Sequence, residues 1–211
     1  MLERLINIDM QWLLAVNGWH APWADVLMWH ISRAGTWIPL YVLLAGLVVW
    51  RFGIQATRGM EQNLRWKQGA LCVGVILCGF GVAVGLSDFV SSGLIKPWVC
   101  RPRPTHEPAL EGLVHIVNGY TGGAYGFVSS HAANTMACGL LFSLLYRNKL
   151  ATAGLMLWVA LNCYSRMYLG VHYPGDILGG LLVGALLAVG VYAILVRLCG
   201  RDWRSAGASC R

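Results

Sequence analysis

Charge is scarce in this chain. Asp and Glu number nine and Lys and Arg sixteen in 211 residues, so 12% of the chain is charged while 57% is hydrophobic. Mean hydropathy is +0.57. So little charge cannot clothe a soluble surface or keep a chain disordered. The composition is that of a membrane protein, and its length suits a single helical domain, 1–211. Also missing are a CxxC pair and any Cys/His spacing suited to zinc, so neither a metal nor a cofactor is expected. The seven cysteines make no disulfide framework, because Cys72, Cys78, Cys138 and Cys163 lie in apolar segments as small hydrophobes. No internal repeat or low-complexity linker is present. A cleavable signal is not expected either, since Glu3, Arg4, Asn7 and Asp9 interrupt the apolar positions of residues 2–16.

What is present is a succession of apolar segments. Residues 2–17 place Leu2, Leu5, Ile6, Met10, Leu13 and Leu14 at helical spacing with charges opposite. That pattern predicts an amphipathic helix on the membrane surface. Spans are expected over residues 24–50, with Arg33 near the outer end, then 68–90, 132–146, 150–168 and 177–198. The expected fold is therefore all-α, an integral membrane bundle of about five transmembrane helices plus the N-terminal amphipathic helix. Only Arg147-Asn148-Lys149 joins the third and fourth spans, which makes them an antiparallel hairpin. The tryptophans, among them Trp12, Trp19, Trp23, Trp29, Trp37, Trp50 and Trp66, suit aromatic belts.

Basic residues then orient the bundle. With five spans, one face receives Arg51, Arg58, Arg65, Lys67, Arg147, Lys149, Arg197, Arg201, Arg204 and Arg211, against Glu61 and Asp202. That is ten of sixteen bases and two of nine acids. This face is cytoplasmic by the positive-inside rule. The net charge of +7 thus reflects topology, and no nucleic-acid partner is expected. The opposite face gathers three polar stretches: Lys96 to Pro104 (KPWVCRPRP), Val128 to His131 (VSSH) and Ser165 to Asp176 (SRMYLGVHYPGD). Cys100 falls in this outward loop.

That shared face holds Lys96, Arg101, Arg103, Ser129, Ser130, His131, Arg166, His172 and Asp176. Cations grip phosphate oxygens, one imidazole attacks phosphorus and another protonates the leaving oxygen. Ser129 and Ser130 open a helix, whose free N–H groups suit an anion. Asp176, four residues after His172, can accept from the imidazole and fix its tautomer. Taken singly, each has a plainer explanation. Lys96 and Arg103 suit headgroup anchors, the histidines suit a polar interface, and Asp176 suits a helix cap after Pro174-Gly175. Their conjunction in three loops on one face favours the shared site. His20, His30, His106 and His115 fall outside it. Asp88, at membrane depth, suits either the brace of a site cation or plain interfacial exposure. The loop 105–127 would cover the site or shape lipid access.

The intervals bring in a family. Lys96, six residues, Arg103-Pro104; Ser129-Ser130-His131; and Ser165-Arg166, five residues, His172, three residues, Asp176 together resemble the K-x6-RP, PSGH and SR-x5-H-x3-D signature of the type 2 phosphatidic acid phosphatase (PAP2) family. Val128 and Ser130 depart from its proline and glycine. The resemblance implies His172 as a nucleophile forming a phosphohistidine, Asp176 as its orienter and His131 as the general acid that later activates water. It implies Lys96, Arg103 and Arg166 as phosphate ligands, aided by Ser129 and the backbone at Ser130, with no metal. Arg101 lies outside the signature and is left for a second phosphate or a headgroup.

The expected function is a membrane lipid phosphatase in a bacterial inner membrane, with its site on the extracytoplasmic side. Undecaprenyl pyrophosphate, phosphatidylglycerol phosphate, phosphatidic acid and lipid A all suit it. The alternatives are transfer of the phosphate to another acceptor, vanadate-dependent halide oxidation, which the five spans oppose, and non-catalytic lipid binding or transport.

Overall fold

The computed structural model describes residues 2–55, 57–58 and 60–198. Arg201, Asp202, Arg204 and Arg211 of the basic face lie outside the described residues. Among those described, the regular elements are helical: α1 (Leu2–Asn17), α2 (Pro22–Ser32), α3 (Ile38–Val48), α4 (Gln62–Asp88), α5 (Lys96–Val99), α6 (Ser130–Tyr146), α7 (Lys149–Tyr168) and α8 (Pro174–Leu198). A prolyl ring stands in the first turn of α2, α3 and α5, where its missing N–H costs no bond. Asn148 caps α7 by accepting from Ala151 N at 2.9 Å.

Among the described residues, three helical runs are long and apolar enough to cross a membrane: Ala34–Gln55, Gln62–Val99 and Pro174–Leu198. The expected first span from 24 to 50 is broken at Arg33, which is extended between α2 and a 3₁₀ turn, Ala34–Trp37. The second expected span runs on through a π-helical stretch, Phe89–Ile95, into α5. Lys96 therefore sits on the end of a helix instead of in a loop. α6 and α7 are less apolar, and the reason is their place. They lie at the middle of the bundle and carry Thr135, Asn162, Ser165 and Arg166 toward its interior, with Ser129 buried at the cap of α6.

Without a hydrophobic drive between helices in lipid, close approach of small residues holds a bundle together. α6 and α8 show it. A Cβ at Gly180 would meet the Ser129 carbonyl, and one at Gly184 the Ala133 carbonyl. Around this contact, Leu44, Val48, Ile76, Leu141, Phe142, Trp158 and Leu195 form the main core.

α1 does more than rest on a surface. Its inward stripe is Asp9, Leu13 and Asn17, one turn apart. Leu13 and Asn17 are buried, whereas Leu5, Ile6, Ile8 and Trp12 are exposed. The Asn17 amide donates to the carbonyls of Tyr168 at 2.7 Å and His115 at 3.0 Å and accepts from His115 N at 2.7 Å. It thus pins the loop 105–127 onto α7. Exposed Trp12, Trp19, Trp23 and Trp98 sit toward this end and Trp50 and Trp66 toward the other, as aromatic belts would. Trp37 is packed inside instead, donating to Ile31 O and edge-on to Trp158.

Candidate active site

The three polar stretches meet at one end of the bundle. His172 lies in the short connection from α7 to α8 and is 1% exposed. Its Nδ1 faces Asp176 Oδ2 at 3.4 Å, and its Nε2 faces Arg103 Nη1 at 3.5 Å. Assigning the proton to Nδ1 leaves the Nε2 lone pair on the side of the cations. Asp176 is fully buried, and its Oδ2 also accepts from Tyr173 N at 3.0 Å. The carboxylate therefore caps α8 and meets the imidazole at once, so a helix cap and a contact with His172 coexist in one side chain. Burial, and after it the fields of Arg166, Arg103 and Lys96, holds His172 well below the usual imidazole range.

Each cation is held from a different element. Arg103 donates from Nε to Tyr125 O at 3.1 Å and from Nη1 to Val171 O at 3.4 Å, and its own amide bonds Ala124 O at 3.1 Å. Gly122 (φ +70°) passes so close to this guanidinium that a Cβ there would collide with it. Burial and then the nearby Arg166 push the Arg103 pKa down. Arg166, 2% exposed on the last turn of α7, bonds the Ser32 hydroxyl at the end of α2. It also donates to Tyr120 Oη at 3.1 Å. Its Nε is buried without a protein partner among the described residues. Lys96 Nζ donates to Ser130 Oγ at 2.8 Å and to Ser92 Oγ at 3.3 Å, and Ser92 in turn reaches Asp88 Oδ1 at 3.5 Å. Asp88 thus braces a site cation, through a serine one turn away.

Ser129 caps α6, accepting from Ala132 N at 3.4 Å, while its own amide donates to Asp176 O at 2.9 Å. That amide is spent, so an anion at this helix end would meet the N–H groups after it. The Phe127–Val128 peptide is cis, at the signature's proline position. His131 follows in the first turn, within the fields of His172, Arg166, Arg103 and Lys96. It also lines a largely apolar cavity of about 470 Å³ whose wall includes Trp37, Tyr41, Phe80 and Val84. Among the described residues no group of His, Cys, Asp and Glu is placed to hold a metal ion.

The sequence reading missed four residues here. Ser32 and Tyr120 hold Arg166, Asp9 holds Arg101, and Asn17 fastens the loop. Asp9 and Asn17 share a helix face with buried Leu13, a pattern that flags them; Ser32 and Tyr120 carry no such sign. His115 is in the loop, as expected, but is engaged. Its Nε2 meets Asp25 at 3.1 Å, and its ring stacks on His20 at 3.8 Å.

The sequence model of the PAP2 superfamily matches residues 76–198, a stretch that includes every signature position. The chain belongs to this superfamily. It is a PAP2 phosphatase, an integral membrane hydrolase of phosphoric esters. A lipid A 4'-phosphatase of Bacteroides thetaiotaomicron is 33% identical over 95% of this chain and 83% of its own length. One of Porphyromonas gingivalis is 34% identical over 99% and 80%. Among solved structures, the phosphatidylglycerolphosphate phosphatase of Bacillus subtilis superposes with a TM-score of 0.61 at 23% identity, over 92% of this chain and 88% of that one. That likeness shares the PAP2 membrane fold.

Proposed function

We propose that this PAP2 phosphatase removes a phosphate from a lipid headgroup on the extracytoplasmic face through a phosphohistidine, and that lipid A is its first candidate substrate. The observation that carries the reading is the charge imbalance around His172. Arg103, Arg166 and Lys96 converge there, and among the described residues none of them has a carboxylate ion-pair partner. The buried Arg166 Nε is a donor still to be satisfied. A phosphate dianion would answer both.

In this mechanism His172 Nε2 attacks phosphorus, and the phosphorus–oxygen bond to the lipid breaks as the nitrogen–phosphorus bond forms. His131 gives the departing oxygen its proton, then takes one from the water that releases inorganic phosphate. Asp176 stabilises the charge that develops on the imidazole, and the three cations stabilise the charge on the phosphoryl oxygens. The apolar cavity beside His131 would house part of the lipid. The outward orientation is supported by Arg51, Lys67, Arg147, Lys149 and Arg197 at the other end of the helices.

Lipid A comes first because both lipid A 4'-phosphatases align along nearly the whole chain. A polyprenyl diphosphate is the second reading, since an undecaprenyl-diphosphatase of Bacillus subtilis is 27% identical over 71% of the chain. The test is a phosphate-release panel with the purified protein and no added metal, over lipid A, undecaprenyl pyrophosphate, phosphatidylglycerol phosphate and phosphatidic acid. Release from lipid A is expected. Release from the diphosphate alone would move the substrate, phosphate recovered on another acceptor would make the enzyme a transferase, and strict dependence on Mg²⁺ would overturn the mechanism.

Burial of His172 also sets a pH dependence. As pH falls through the unfolded value near 6.5, the unfolded chain takes a proton that the folded chain refuses. The stability is therefore present above that pH and lost below it. Lowering pH from about 7.5 to about 5 should depress the melting temperature more in the native protein than in His172→Gln. Parallel falls would show that His172 is not held neutral.

A further inference from the structure

Arg101 is two residues from Arg103 and equally basic, yet the structure gives it different company. Its Nη1 donates to Asp176 Oδ1 at 2.9 Å and its Nη2 to Asp9 Oδ2 at 2.7 Å. The guanidinium lies over the Tyr173 ring, 4.0 Å from its centroid. Asp9 Oδ1 accepts from Gly175 N at 2.7 Å, and a Cβ at Gly175 would stand 2.8 Å from Asp9 Oδ2, so a side chain there would displace the Asp9 carboxylate. We propose that Arg101 and Asp9 are positioning residues. From the N-terminal helix they hold the Asp176 carboxylate, and through it the His172 ring, in the geometry of attack.

Three points favour this over a contact with substrate. First, Arg101 sits between two carboxylates, so the trio carries a net charge of −1 and repels a phosphate. Second, Asp176 is 0% exposed, and its two oxygens divide their work. Oδ2 serves His172 and Tyr173 N, while Oδ1 has Arg101 as its partner. Removing Arg101 leaves one oxygen of a buried carboxylate unsatisfied, and the group can then rotate and take Oδ2 away from the imidazole. Third, Asp9 grips both Arg101 and the first turn of α8. That turn carries Asp176 itself, so α1 braces the pair at both ends.

The inference rests on the reading of His172 and Asp176 as nucleophile and orienter, and the experiment separates the two. Steady-state phosphate release would be measured on whichever lipid of the panel is turned over. The proteins are Arg101→Ala, Arg101→Lys, Asp9→Asn, the Asp9→Asn/Arg101→Ala double variant and His172→Ala, with Lys149→Gln at the opposite end as a control. Arg101→Ala should lower kcat by roughly 10–100-fold while KM stays within about twofold. Arg101→Lys should recover part of that loss, because an ammonium reaches one carboxylate but cannot bridge two. The double variant should be no worse than Arg101→Ala alone, since the residues act in series. A rise in KM with kcat unchanged would make Arg101 a substrate ligand and overturn the proposal, as would additive losses in the double variant. Should Arg101→Ala fail to fold, the kcat of Arg101→Lys and Asp9→Asn decides. Full turnover by His172→Ala would sink the proposed mechanism itself. Loss at His172 with native kcat in both Arg101 variants would sink only this inference.

Discussion

Replacing His172 with alanine should lower phosphate release by at least about 10⁴-fold, because it removes the imidazole whose Nδ1 faces the Asp176 carboxylate and whose Nε2 faces Arg103. His131→Ala should behave differently. A lipid alkoxide departs poorly without a proton, so turnover should fall by about 10²–10⁴-fold. An ester with a phenolate leaving group needs no such help, and should still phosphorylate His172 in His131→Ala. In the proposed mechanism His131 also activates water, so that phosphoenzyme should accumulate and appear as a burst of phenolate and an acid-labile label on the protein. Absence of the burst, with equal losses on both substrates, would show that His131 does not divide its work in this way. His115→Ala should keep turnover, since its ring is committed to Asp25 and His20. Damage there equal to that at His172 or His131 would overturn the roles.

Gly184→Leu should be the most disruptive change outside the site. A Cβ at this position would run into the Ala133 carbonyl of α6. That is backbone, which cannot yield without parting α6 from α8 and with them Ser129 from Asp176. The cost should be at least ~3 kcal/mol, enough to remove the folded protein from detergent extracts. Gly190 is the control, six residues along the same helix, with nothing within 4 Å of the place its Cβ would occupy. Gly190→Ala should change stability by no more than ~1 kcal/mol, in the stabilising direction, because alanine is the better helix former. Melting curves of the two variants in one detergent make the comparison. A well-folded Gly184→Leu would mean that the α6–α8 contact is looser than described.

Much of the grouping around His172 is legible in the sequence. Counting bases over five spans already placed Lys96, Arg103, His131, Arg166, His172 and Asp176 on one face, and the spacing of His172 and Asp176 put the carboxylate one helical turn from the ring. Helix ends were read less well. Arg33 ends a helix where a continuous span was expected, and Lys96 lies in the last turn of a helix where a loop was expected. The apolar residues around both positions satisfy a helix and a turn equally. α1 was read as a surface helix because periodicity reports which face is apolar, and it is silent on what a single aspartate or asparagine along that face will touch.

The division has a physical basis. Membrane class and the family signature are written in composition and in fixed short spacings. Each is a local or summed property of the chain, and so the sequence by itself determined them. The tertiary structure decided which groups serve which. It gave Arg101 to Asp176 and Asp9, Arg166 to Ser32 and Tyr120, and Lys96 to Ser130 and the Ser92–Asp88 relay. Several of these bonds join residues far apart along the chain, and a hydrogen bond of that kind leaves no periodicity in either partner's neighbourhood. It exists only once Gly180 and Gly184 have let α8 close against α6 and α1 has laid Asp9 over the start of α8.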